Sequence, residues 1–380
     1  MVSMSEKCNE GQSTANASKG RIYSLDFVRG LAALSILLYH LAYAVDKPLF
    51  PKEYANGNMD SFLVFLFIML SGAVLYLRYK DIGNLKEFYY KRWKSIFPLY
   101  LAFFIVLYVY TAVKSGSAFY SEPAGAMLFS LTAFDGYLAW SNSFLSNTVQ
   151  GLFGLTSGQV AGYYEIGEWF LGLILILYAL YPIILFAFKK YPVITLVTAI
   201  VLYILEAVFT DYNITRTVIH GVLGFIIGMF IMKYFDKVCN NKLILLGSLV
   251  ICAIILFVKL PSTEFYVPIV SLTFFILLNF VGVKLTENSE KMVKISTWLG
   301  TISFAIFLVQ RKSINLTVKL FGSDIPYWAA ALFSIAVALV VSDIGVRVMN
   351  YLLRSKYYVH FEQYLYKKVL GPSSKNDAKS

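Results

Sequence analysis

Residues 25–45 read LDFVRGLAALSILLYHLAYAV, a run of 21 residues in which the strongly polar side chains are Asp26, Arg29, Ser35 and His40. About 20 mainly apolar residues are enough to carry a helix across a bilayer core. Comparable blocks recur at about 60–78, 96–113, 167–188, 191–209, 216–232, 243–258, 265–283, 296–314 and 325–350. The composition agrees: of 380 residues, 58% are apolar and only 14% are charged, against roughly 25% charged in an ordinary soluble domain. No segment alternates with period two over barrel-strand length, which excludes a transmembrane barrel. The expected fold class is all-α, a polytopic membrane helical bundle of about ten transmembrane helices.

Charge order gives the orientation. Arg78, Lys80, Lys86, Lys91, Arg92 and Lys94 lie between the second and third blocks, and short cation-rich segments stay in the cytoplasm. Placing both termini cytoplasmic puts this segment inside, together with Lys189-Lys190, Lys233 to Lys242, Lys284 to Lys294, and Arg347 to Lys356. The longest stretch between blocks, about 114–166, then falls outside with Lys114 as its only cation. Lys47, Lys52, Arg311 and Lys312 run mildly against the rule. The apolar segment 124–138 is too short to span comfortably and is expected to be re-entrant or interfacial. The net charge of +11 is thus topogenic, and no nucleic-acid partner is expected. Cys8, Cys239 and Cys252 have no metal-ligand spacing and no expected disulfide. The expected organisation is a disordered cytoplasmic tail over 1–23, a membrane domain over 24–354 and a basic cytoplasmic tail over 355–380.

Ionisable residues inside spans carry the functional information, because each costs about 3 kcal/mol near a helix centre on insertion scales. Arg29 and His40 are eleven residues apart, so they share one helix face about 16 Å apart along the axis. Each has an ordinary reading: Arg29 can snorkel to headgroups, and His40 can bond between helices. Asp26 suits a helix start or a partner for Arg29. Chemically, a guanidinium fork fits a phosphate or carboxylate, and a neutral imidazole offers a lone pair to a general base or nucleophile. Tyr164, Glu165 and Glu168 open the fourth block, with Glu168 the deeper carboxylate. Asp135 can be a turn residue, His220 lies at an outer helix end, and Arg92 is topogenic or an anion contact. No P-loop, G-x-S-x-G, H-E-x-x-H or dinucleotide fingerprint is present.

The 25–40 segment, with Arg29 and His40 so spaced, resembles the first span of the acyltransferase-3 family of membrane acyltransferases. The similarity continues in order through FLVFLFIMLSG at 62–72, FYYKRWKSIFP at 88–98, EWFLG at 168–172 and WLGTISFAIFLVQ at 298–310. It spans about 24–350. The resemblance implies an enzyme of the bacterial cytoplasmic membrane that moves an acetyl group from cytosolic acetyl-CoA to a hydroxyl of a polysaccharide or lipid-linked glycan. In that reading His40 and Glu168 are catalytic, Arg29 and Arg92 hold the acyl-CoA, and Asp26, Asp135 and Tyr164 support the site. No metal and no tightly bound cofactor are expected; acetyl-CoA is a substrate, and the further partners are the glycan and membrane lipids. The chain departs from the family at Ser95, where many members have a second arginine, at Ile174 and Leu175, where many have glutamates, and at Gln310, where a late histidine is common. A transporter of glycans or lipid-linked saccharides, using Arg29 and His40 as a pathway, is the alternative.

Overall fold

Each apolar block satisfies its backbone internally by forming a helix, the only open-ended way to cross hydrocarbon. The computed structural model describes residues 21–47, 59–115, 124–140, 144–154, 156, 169–209, 216–239, 241–257 and 265–370. The first helices are α1 (Tyr23–Ala44), α2 (Met59–Arg78) and α3 (Leu85–Ser115), followed by three short ones, α4 (Ala124–Leu131), α5 (Asp135–Trp140) and α6 (Phe144–Leu152). Next come α7 (Trp169–Lys190), α8 (Pro192–Phe209), α9 (Val218–Lys233), α10 (Phe235–Cys239) and α11 (Lys242–Phe257). The chain continues through α12 (Val267–Glu287), α13 (Glu290–Phe321), α14 (Tyr327–Leu353) and α15 (Lys356–Leu370). No strand occurs among the described residues. Eight helices are long and apolar enough to cross a membrane. The apolar α9 and α11, at the two remaining expected spans, are shorter than these. The protein is a polytopic helical membrane bundle.

Four boundaries differ from the sequence expectation. Helix α3 begins at Leu85 and α13 at Glu290, well before the apolar blocks at about 96 and 296, because a helix can extend past the membrane surface with charged turns. Residues 356–370 form α15 inside the segment expected to be a tail. The N-terminal tail also ends earlier than expected, since Arg21 already packs into the bundle. The segment 124–138 is broken into α4 and α5, as a non-spanning element should be.

Helix α13 packs along α1 and against α14, while α12 sits against α1 and α2. On the other side α2 lies against α9, which α7 and α8 flank. Small residues make such contacts close: at Gly228 of α9 the Met69 backbone oxygen of α2 occupies the space a Cβ would need. Lys47, on the side where cations are unexpected, donates to the carbonyls of Asp324 (3.1 Å) and Ile325 (2.7 Å) and so ties the end of α1 to the turn between α13 and α14.

Candidate active site

Where α1, α2, α3, α7 and α13 converge they enclose a cavity of about 410 Å³. Among the described residues four arginines line it, Arg21, Arg29, Arg78 and Arg92, against a single carboxylate, Asp26. That carboxylate is already engaged: the Arg21 Nε donates to Asp26 Oδ2 at 2.5 Å, and Arg21 also reaches the Thr297 carbonyl at 3.4 Å. Asp26 is therefore held by Arg21, a residue read at first with the tail. Gly300 makes this arrangement possible, because α13 presses directly on the Asp26 side chain there.

Arg92 is the most constrained of the cations. Its guanidinium lies 4.8 Å from the Tyr79 ring centre and 5.9 Å from that of Tyr178, and Nη2 donates to the Tyr79 hydroxyl at 2.8 Å. Its buried Nε has no hydrogen-bond partner among the described residues. Cation–π contacts of this kind hold a guanidinium in place while leaving its donors available. Ser95 returns its hydroxyl to the Arg92 carbonyl at 2.7 Å and lines the cavity.

The rest of the wall is apolar: Ile36, Val64 and Phe67 meet Phe170, Ile174 and Phe307. The cavity is thus split between a cationic end, near the basic loop joining α2 to α3, and an apolar end deeper in the bundle. Ile174 belongs to the apolar wall.

Asp26, Arg29 and Arg92 line the same cavity. Arg21, Arg78, Tyr79 and Tyr178 join them without having been singled out. Arg78 was legible only as topogenic, since a cation in the last turn of a helix also suits its C-terminal dipole. His40 is half-buried on α1 with its ring edge-on to Tyr39 at 5.5 Å, and it lies beyond the residues that line the cavity. Tyr164, Glu165 and Glu168 fall outside the described residues.

Asp135 is fully buried but away from the cavity. Its Oδ2 accepts from Ser130 at 3.0 Å and its Oδ1 from the Gly136 amide at 2.8 Å, while Tyr100 donates to the Ser130 carbonyl. Burial pushes its carboxyl up to about 6, against the opposing pull of the Gly136 and Ser130 bonds. This geometry holds the α4–α5 corner. His220 is buried between the rings of Phe65 (4.5 Å) and Tyr203 (5.7 Å), with its amide bonded to the Thr217 hydroxyl at 3.2 Å. Gln310 is buried in α13 with neither amide atom bonded to a described residue. No cluster of three or more metal-ligating side chains occurs among the described residues.

Residues 22–347 match the Acyl_transf_3 family model, an acyltransferase domain. The chain belongs to the acyltransferase-3 family. No curated protein and no solved structure matches it. The protein is accordingly a multi-pass membrane acyltransferase, and every residue that lines the cavity except Arg21 lies within the matched segment. Helix α15 lies beyond the matched segment.

Proposed function

We propose that this acyltransferase takes an acetyl group from acetyl-CoA at the cytoplasmic side and delivers it to a hydroxyl of an extracytoplasmic or lipid-linked glycan, in the cell membrane of a bacterium. The observation that carries the donor half is the charge imbalance of the cavity among the described residues: four arginines and one carboxylate, itself paired. Uncompensated cations in a low-dielectric site are costly, and an anionic ligand with oxygens spaced for guanidinium forks offsets that cost. The phosphates of coenzyme A have this chemistry. Its uncharged pantetheine arm and thioester suit the apolar end between Phe67, Phe170 and Phe307.

Within this reading Arg29 and Arg92 bind phosphate oxygens, and Tyr79 and Tyr178 keep Arg92 in orientation. The thioester C–S bond breaks and an ester C–O bond forms on the acceptor. His40 takes the acceptor hydroxyl proton, and that proton ends on the departing thiolate, giving free coenzyme A. A short-lived acetyl-imidazole on His40 is the equivalent two-step route, with the acetyl group passing first to the ring nitrogen. Glu168 orients the imidazole or contacts the sugar. The glycan acceptor rests on the sequence resemblance, in which the Asp135-Gly136-Tyr137-Leu138 and Glu165–Trp169 patterns go with polysaccharide O-acetylation.

Purified protein in lipid discs, given acetyl-CoA labelled in the acetyl group and glycan from the producing cell, should release thiol and transfer label to alkali-labile ester. Label transfer from another acyl thioester but not acetyl-CoA would move the donor. Loss of O-acetyl resonances from surface polysaccharide when the gene is deleted tests the acceptor.

A further inference from the structure

Helix α15 follows α14 after only Arg354 and Ser355, so it starts where a spanning helix leaves the membrane. Its half-buried side chains, Tyr358, Glu362, Leu365 and Tyr366, face the start of α3. There Glu362 accepts from the Tyr90 hydroxyl at 3.1 Å and pairs with Lys94, and Lys94 also lies 5.9 Å from the Tyr358 ring centre. At about 100° per residue, a second stripe formed by Tyr357, Phe361, Tyr364 and Lys368 is centred roughly 115° from the first. Its aromatic members are 90%, 53% and 59% exposed. A third, polar face carries Lys356, His360 and Gln363, all exposed. Three faces of this kind fit a helix lying in the membrane plane, with one side on protein, an aromatic edge toward acyl chains and a basic side toward headgroups and water.

We propose that α15 is an interfacial helix that seats Tyr357, Phe361 and Tyr364 in the cytoplasmic leaflet and binds anionic phospholipid headgroups through Arg354, Lys356 and Lys368. Charge complementarity selects the occupant. All three cations are exposed, Lys368 in line with the aromatic stripe and Arg354 and Lys356 at its N-terminal end, and the acid of the helix, Glu362, is turned inward to Lys94. A polybasic, aromatic edge beside a transmembrane helix attracts acidic lipids. Seating the helix also braces α3, because Tyr90 and Lys94 flank Arg92, which lines the cavity. Leaflet charge is thereby coupled to the position of a cavity arginine.

Amide exchange over residues 356–370, measured on the full chain in lipid discs, tests this without reference to catalysis. Discs of phosphatidylcholine alone are compared with discs of phosphatidylcholine mixed with phosphatidylglycerol. Exchange should be about tenfold slower with phosphatidylglycerol at low salt, and the difference should shrink in high salt. The triple variant Tyr357→Ser, Phe361→Ser, Tyr364→Ser should exchange fast in both, while α13 stays as protected as in the wild type. Exchange in the wild type that ignores lipid charge overturns the proposal. So does a triple variant as protected as the wild type, which would show that α3 alone holds the helix.

Discussion

Gly300 of α13 lies so close to Asp26 of α1 that a Cβ there would fall 2.6 Å from the Asp26 Cβ and 2.7 Å from its Oδ1. The contact fixes Asp26 against Arg21, and through it the mouth of the cavity. Gly300→Ala should force the two helices apart at this level, and overpacking of this kind costs about 1–3 kcal/mol. A lowered thermal transition in detergent, with acyl transfer falling further than stability does, is the expected pair of results. A variant as stable and active as the wild type would show that α13 shifts freely and that the close approach has no role.

The guanidinium forks, more than their charge, should bind the donor. Arg29→Lys and Arg92→Lys keep a cation but lose planar bidentate geometry, and Arg92→Lys also loses its stacking on Tyr79 and Tyr178. Each should raise the apparent KM for acetyl-CoA by about 10- to 100-fold, the range of one or two charge-assisted hydrogen bonds. Steady-state kinetics in lipid discs measure it. An unchanged KM in Arg29→Ala reduces Arg29 to a topological anchor.

Bracing of α3 by α15 predicts a smaller effect at a distance. Glu362→Gln removes the partner of Lys94 while keeping volume and a hydrogen-bond acceptor for Tyr90. A partly exposed pair is worth at most about 1 kcal/mol, so KM for acetyl-CoA should rise two- to fivefold or so, with kcat nearly unchanged. A fall in kcat at constant KM contradicts the connection to Arg92.

Asp135 gives a pH dependence whose sign follows from its burial. Its carboxyl titrates near 6 in the folded protein, above the unfolded value near 4. Below about pH 4 both states are protonated and the folded corner is at its best. As pH rises from about 4 to 6 the unfolded chain ionises first, so stability falls, by up to about 3 kcal/mol for a shift of this size. Thermal unfolding of the wild type should show this decline. In Asp135→Asn, which can still accept from the Gly136 amide, the decline should flatten, leaving the variant no less stable at neutral pH. If the variant loses stability equally at all pH values, Asp135 acts through its hydrogen bonds alone.

The bundle was legible because membrane insertion writes its requirements in long blocks: α8 and α14 could be read directly from residues 191–209 and 325–350. What the apolar blocks do not encode is a helix outside the hydrocarbon. The first turns of α3 carry Lys86, Glu87, Lys91, Arg92 and Lys94, and α15 averages polar, so hydropathy passes over both. Within the site, Arg29 stood out because a cation in a span is expensive. Arg21 and Arg78 sit at helix ends, where a cation is ordinary, and only the convergence of five helices brings them to one cavity. Tyr79 and Tyr178 were hidden by the abundance of tyrosine, 28 in this chain.

In the proposed mechanism His40 takes the acceptor proton. It lies on the same face of α1 as Arg29, half-buried, with its ring against Tyr39 and beyond the apolar end of the cavity. An acetyl group held at that end would have to move outward along α1 to meet an acceptor, and His40 is the imidazole on that line. His40→Ala should lower acyl transfer by about 100-fold or more, the usual contribution of a general base. Expression and insertion should stay near normal, since removing a polar group does not burden insertion. His40→Gln keeps most of the volume and some hydrogen bonding, but it cannot accept a proton near neutral pH or carry an acyl group, and it should be equally inactive. Transfer of labelled acetyl to glycan, scored beside KM for acetyl-CoA, separates the cases: the donor should bind both variants normally while turnover is lost. If His40→Gln retains turnover and His40→Ala does not, the imidazole packs and bonds but does no proton transfer, and the base must be sought among the carboxylates that precede α7.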